Sequence, residues 1–178
     1  MTAKLVTLSL PLPWTAFGLP AAIATSVTTL TTGDVGWRWE PDAPALPVVT
    51  CPPADGTAAP GWDVDHVVLL TPGLEETIRA FDDIGISPRL RLEVKGRPTA
   101  FFRVGPVLEV IESPVRAAAL YGVALVTQEP LESVVLRWRS SGLDVTDPRP
   151  AMQPGRRIFT VRAVEAGLAV MSPDRATG

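Results

Sequence analysis

Hydrophobic positions are most regular between Asp65 and Ile111. Asp65-His66-Val67-Val68-Leu69-Leu70 is β-branched and aliphatic, the composition of a strand. The spacing then changes: Leu74, Ile78 and Phe81 fall three and four apart, which predicts one apolar stripe on a helix. Thr71 suits the cap of that helix and Pro72 its first position, while Glu75 and Glu76 suit the first turn, at the positive end of the helix dipole. Gly85 suits the left-handed residue that ends such a helix. Strand-like sequence resumes at residues 89–94, 99–104 and 107–111, and the short Lys95-Gly96-Arg97 and Gly105-Pro106 connections predict hairpins. The unit is β-α-β-β-β.

The same order recurs. Residues 123–126 read as a strand, Leu131, Val134, Val135 and Trp138 as a helix stripe, and Gly142 as its end. Gln153-Pro154-Gly155 turns the chain into a strand at 156–162, and residues 166–171 make the last one. A shorter copy opens the chain with Leu5 to Leu10, Pro11, then Trp14 to Gly18. All three copies carry an aromatic residue followed by x-x-x-Gly-(Leu/Ile), and each closes on a proline, at Pro41, Pro114 and Pro173. Such repetition means one supersecondary unit used several times. Residues 1–41 are expected to form a truncated module whose helix has room for barely two turns, with Trp37 and Trp39 alternating on its last strand. Residues 42–60, rich in Pro and Ala and without periodicity, read as a linker. Residues 61–174 hold two full modules, 61–114 and 120–174.

Composition narrows the function. A chain of 178 residues that is 46% hydrophobic and 20% charged can build a sizeable core and is not disordered. Its net charge of -3, with basic residues scattered singly or in pairs, lacks the footprint of a nucleic-acid binder. No apolar run is long enough for a membrane-spanning helix, so neither nucleic acid nor membrane is an expected partner. The lone Cys51 excludes a disulfide framework within the chain, and the lone His66 excludes a multi-histidine metal site. Lys4, the following apolar run and Ala22-Ile23-Ala24 superficially resemble a secretory signal. Pro11, Pro13 and Pro20 interrupt that run, and Leu5 to Leu10 fits the repeat as a strand, so a cytoplasmic location is expected.

Asp65-His66-Val67 opening one module, Val107-Leu108-Glu109-Val110 closing it, and Gln153-Pro154-Gly155-Arg156-Arg157 before the penultimate strand resemble the glyoxalase/bleomycin-resistance (vicinal oxygen chelate) superfamily. The resemblance spans residues 61–174 and, more weakly, the N-terminal copy. It implies an α+β fold in which paired β-α-β-β-β modules form a curved mixed sheet around a cleft, here with a truncated N-terminal module attached. It says little about the reaction, since one scaffold hosts many chemistries. In metal-dependent members it implies four ligands, one from the first and one from the last strand of each module. Carried over, the first two are His66 and Glu109, a pair suited to a divalent transition metal.

Comparing the copies weighs against the other two ligands. Aligning Thr71 with Thr127 places Gly122 where His66 sits, and aligning Pro114 with Pro173 places Leu168 or Ala169 opposite Glu109. None binds a metal through its side chain, and Glu165 is three positions away. His66 and Glu109 could instead be a structural hydrogen-bonded pair, or a general base and its orienter working without metal. On strand 99–104, Thr99, Phe101 and Arg103 share the face expected toward the cleft, with Phe102 in the core. On strand 156–162, Arg157, Phe159 and Val161 share the face taken as equivalent, and Gln153 lies on the turn before it. Phe101, Arg103, Gln153, Arg157 and Phe159 are therefore the candidate ligand-binding residues, suited to an aromatic or carboxylated small molecule. The expected protein binds a small ligand without a resident cofactor, a divalent metal remaining the alternative, and associates as a homodimer. Two other readings stay open: a metal-dependent lyase, isomerase or dioxygenase completed by another subunit, and a non-catalytic interaction module.

Overall fold

In the computed structural model, which describes residues 3–43 and 46–174, each copy of the aromatic-x-x-x-Gly-(Leu/Ile) signature ends a helical segment in the same way. The three segments are a single 3-10 turn at Trp14–Phe17, α1 at Leu74–Asp82 and α2 at Leu131–Ser140. The backbone N–H groups of Leu19, Ile86 and Leu143 donate to the carbonyls of Trp14, Phe81 and Trp138 at 3.2, 2.9 and 3.0 Å. The intervening glycines, Gly18, Gly85 and Gly142, sit at φ of 73°, 78° and 85°. This is the Schellman stop, which satisfies the last carbonyls and requires a left-handed residue that glycine adopts without steric cost. The aromatic residue three positions inside each stop is fully buried. The repeated sequence signature therefore encodes a helix stop and a core anchor together.

The strands, in chain order, are β1 Lys4–Leu10, β2 Ala22–Ala24, β3 Thr29–Thr32, β4 Gly36–Glu40, β5 Thr57–Ala58, β6 Trp62–Thr71, β7 Leu90–Val94, β8 Arg97–Arg103, β9 Val107–Glu112, β10 Ala119–Thr127, β11 Arg149–Pro150, β12 Arg157–Val161 and β13 Gly167–Met171. Eight form one sheet in the order β11-β12-β13-β10-β6-β9-β8-β7. In each half the module's first and last strands are parallel neighbours, β6 with β9 and β10 with β13, and the halves meet where β6 pairs antiparallel with β10. The fold is α+β, as the repeat and the resemblance implied. The helix entry differs from expectation. Gly73, not Thr71, takes the cap position of α1, and the N–H of Leu74 is satisfied by Glu112 Oε2 from β9 at 2.9 Å. Thr71 instead bonds Thr77 through its hydroxyl at 2.8 Å.

The N-terminal copy forms a second sheet of five strands, β4-β1-β3-β2-β5. Parallel pairing of β1 with β3 repeats that of β6 with β9. Strand β4 is not the module's last strand in space: it crosses to the far side of β1 and pairs antiparallel there, as β10 does beside β6. The stretch expected as a linker returns to this sheet, with β5 on the edge of β2 and Thr50 bridging Trp37. The two sheets share one core. The ring centroid of Phe81 in α1 lies 4.7 Å from that of Phe102 in the large sheet and 5.8 Å from that of Trp39 in the small one. Trp138 of α2 packs on Phe159 at 5.6 Å and on Phe17 at 5.0 Å. The N–H of Leu5 donates to Val104 O at 2.8 Å, tying β1 to the end of β8. Among the described residues no helix is long and apolar enough to cross a membrane.

Candidate functional site

A bulge in β6 sets the site. His66 pairs with Ala124 and Val64 with Leu125, so Asp65 is an extra residue in the ladder. A bulge of this kind re-aims side chains, and here Asp65 and His66 both line the cleft. On the other flank, β9 runs parallel with Val68 opposite Glu109, which brings Glu109 Oε2 to 3.7 Å from His66 Nε2. His66 Nδ1 lies 2.8 Å from Asp65 Oδ2. The other Asp65 oxygen accepts from Arg156 Nη2 at 2.5 Å, and Arg156 Nε donates to Ser172 O at 2.9 Å. Arg156 is only 7% exposed, so it is a fixed cation on the cleft wall, held by Asp65, by the Ser172 carbonyl and by Asp174, whose Oδ1 lies 3.3 Å from Nε.

Electrostatics divide the two carboxylates. Burial raises Asp65, but hydrogen bonds from His66 and Arg156 more than offset it and hold the carboxyl below its ordinary value. Burial raises Glu109, and the charges of His66 and Lys95 offset this only in part. Asp65 is thus built to stay charged and keep a proton on His66 Nδ1, leaving Nε2 toward the cleft and Glu109. A raised folded-state value means that Glu109 favours folding when protonated and loses that contribution as pH rises through it. Glu109→Gln is therefore expected to raise the melting temperature at about pH 7, with the gain vanishing near pH 3, well below the ordinary glutamate value, where Glu109 holds its proton in folded and unfolded chains alike. A calorimetric pH series checks it, and equal melting temperatures across the range would remove Glu109 as a strained site residue.

The cleft encloses about 1100 Å³ along the large sheet. Phe101, Arg103 and Gln153 line it, as do His66 and Glu109. Arg157 and Phe159 do not. Phe159 is fully buried against Trp138 under α2, as Phe102 is under Phe81, and Arg157 on the same face pairs with Glu132 of that helix. Side chains alternate along a strand, so once Phe159 serves the core, Arg156 and Ile158 are the residues that face the cleft. Asp65 and Arg156 escaped the sequence reading. Matching Phe159 to Phe102 rather than to Phe101 would have exposed the correct parity of β12.

The second module supplies Val126, Ile158 and Met171 to the cleft wall, with Ala124 opposite His66. Gly122 takes the place of His66 in the second module: it pairs with Val68 as His66 pairs with Ala124, and there β10 approaches β13 so closely that a Cβ would fall 2.0 Å from Gly167 O. Leu168 points into the core. Asp65 and Glu109 flank opposite nitrogens of one imidazole and do not converge on one point. Among the described residues no three His, Cys, Asp or Glu side chains group as a metal site. His66 and Glu109 alone do not fit the four-ligand centre that the resemblance implies.

No protein-family model matches the chain, and no curated protein matches it in sequence. Solved structures do. Methylmalonyl-CoA epimerase from Mycobacterium tuberculosis matches with a TM-score of 0.52 at 16% identity, over 63% of this chain and 88% of that one. A hypothetical protein from Bacillus halodurans gives 0.53 at 13% identity, over 66% and 98%. Methylmalonyl-CoA epimerase from Streptomyces coelicolor, in complex with 2-nitronate-propionyl-CoA, gives 0.51 at 14% identity, over 63% and 97%. At these identities the likeness is one of architecture. With its paired modules and these neighbours, the chain has a glyoxalase-like fold.

Proposed function

We propose that the protein binds a small, partly apolar anion in the cleft and that His66 acts there as a metal-independent general base. The observation that carries this reading is the tethered histidine. Asp65 occupies Nδ1, so a bound molecule meets Nε2, the nitrogen able to accept a proton, beside the carboxyl of Glu109. The wall around it is apolar, with Phe101, Val107, Ile158 and Met171. Lys95, Arg103 and Arg149 also line the cleft and form no ion pair with a described residue, which suits a carboxylate or similar anion. The epimerase neighbours support a proton-transfer role, since inverting a stereocentre bearing hydrogen removes a proton and returns it.

A panel of aromatic and aliphatic carboxylates, scored by thermal shift, tests the binding half. A ligand at a hundred times its Kd contributes about 2.7 kcal/mol, or roughly 5–10 °C for a chain of this length. Arg103→Ala should cut that shift, and His66→Ala should leave binding while abolishing any proton exchange seen by NMR in deuterated water. If no member of the panel moves the melting temperature, the ligand-binding reading fails.

A further inference from the structure

The turn between β2 and β3, which belongs to the N-terminal module, lines the same cleft through Thr25, Ser26, Val27 and Thr28. It is braced from several sides. Thr25 Oγ1 donates to Thr28 O at 2.6 Å, Thr28 Oγ1 donates to Leu5 O at 2.7 Å, and the N–H of Ser26 reaches Asp63 Oδ1 at 3.4 Å. These contacts seat the turn over the start of β6 and beside the β8–β9 hairpin. There Gly105, at φ 109°, lets the backbone pass under Val27: a Cβ at that position would lie 2.6 Å from Val27 Cγ1. Val27 is 38% exposed, a large apolar side chain left open to the cleft by a turn whose backbone is fixed. It also lines a second hollow of about 540 Å³ on the N-terminal module, together with Thr7, Thr29, Arg38 and Trp39. Val27 therefore stands between the cleft and this more polar hollow.

We infer that Val27 is a specificity-determining residue: it is the end wall of the cleft and sets how long an apolar body the bound anion can have. The inference rests on the cleft being the ligand site. It assigns to the truncated module a part in recognition beside the full modules, whose Asp63, Val64, Arg103, Val107 and Gly105–Pro106 turn line the same cleft. Burying one more methylene of a ligand strengthens binding about fourfold, so moving the wall by two or three methylenes changes affinity by tenfold or more.

Straight-chain carboxylates from hexanoate to hexadecanoate, competing with anilinonaphthalene sulfonate followed by its fluorescence, read this directly. Val27→Trp should weaken the longest chains tenfold or more while leaving the shortest within about twofold. Val27→Gly should do the reverse, moving the optimum to longer chains as the cleft opens into the second hollow. Both changes lie in an exposed turn, and circular dichroism confirms that each variant is folded. If the fluorophore binds, Arg103→Ala weakens it, and the chain-length profile is unchanged in both Val27 variants, the inference is overturned while the cleft reading stands. If the fluorophore does not bind, or binds with no response to Arg103→Ala, the cleft reading fails and the inference with it.

Discussion

Trp138→Ala is expected to cost about 5 kcal/mol of folding free energy. The indole is 1% exposed and lies in the middle of the aromatic column that joins the two sheets. It stacks on Trp62 at 6.0 Å and meets Phe159 edge-on at 5.6 Å, with Phe17 at 5.0 Å on the N-terminal side. Removing a buried Trp side chain costs about 3–5 kcal/mol in lost transfer free energy and cavity. A second penalty arises because Trp138 Nε1 donates to Phe17 O at 3.0 Å, and that buried carbonyl would be left without its donor. Since small domains are stable by only about 5–15 kcal/mol, the variant should be close to unfolding at physiological temperature. Trp138→Phe separates the contributions, because it keeps most of the packing and loses the donor, for a cost of about 1–2 kcal/mol. Urea titrations with a shared slope measure both, and a loss under 2 kcal/mol for Trp138→Ala would mean that the sheets hold together without this column.

The second large effect is expected at Arg156→Met, at about 3 kcal/mol near neutral pH. Methionine fills much of the same space but leaves the Asp65 carboxylate without its guanidinium, on a wall where Asp65 is largely shielded from water. His66 remains beside it, which keeps the cost toward the low side of what breaking a buried pair exacts. The pH dependence gives the sign. Asp65 is depressed in the folded wild type, so its contribution is present above the ordinary aspartate value and lost as pH falls through the folded one. In the variant, burial prevails and the folded-state value rises, so a proton taken up in mild acid neutralises the uncompensated charge. The difference between the two proteins should therefore shrink steadily from about pH 7 to pH 3. A difference that stays constant over that range would mean that the effect is packing alone, and that Arg156 does not hold Asp65 in its charged state.

Regular features of the fold were legible because they have a local physical cause. A Gly placed four residues after a helical aromatic and followed by Leu or Ile marks a Schellman stop in all three copies, and α1 and α2 end as their glycines require. The strands of the first full module fall within two residues of the hydrophobic runs that mark them, except that β6 begins three residues early, at Trp62. The site was less legible, for two reasons that are not local. The Asp65 bulge exists only because β10 pairs with β6 in a shifted register, and nothing in residues 62–71 taken alone announces it. The facing of β12 depends on which aromatic reaches Trp138, so an error of one residue exchanged Arg156 and Ile158 for Arg157 and Phe159. Glu109, Phe101 and Arg103 were placed on the cleft because β8 and β9 alternate without such ambiguity, and His66 because it keeps parity with Val68 and Leu70 on the regular side of the bulge. The return of residues 42–60 to the small sheet was hidden for a similar reason: β5 is two residues long and is held by the edge of β2.

Strand β4 has a consequence for assembly. In the large sheet, the outer side of β6 is where the second module joins the first; in the small sheet, β4 fills the corresponding side of β1. Its Trp37 and Trp39 are turned into the shared core, where Phe81 holds them. The N-terminal copy thus carries its own terminator, like the capping repeat that ends a solenoid. A further module, from this chain or another, finds no open strand beside β1. Two chains cannot exchange modules there without first stripping β4 and its tryptophans from the interior.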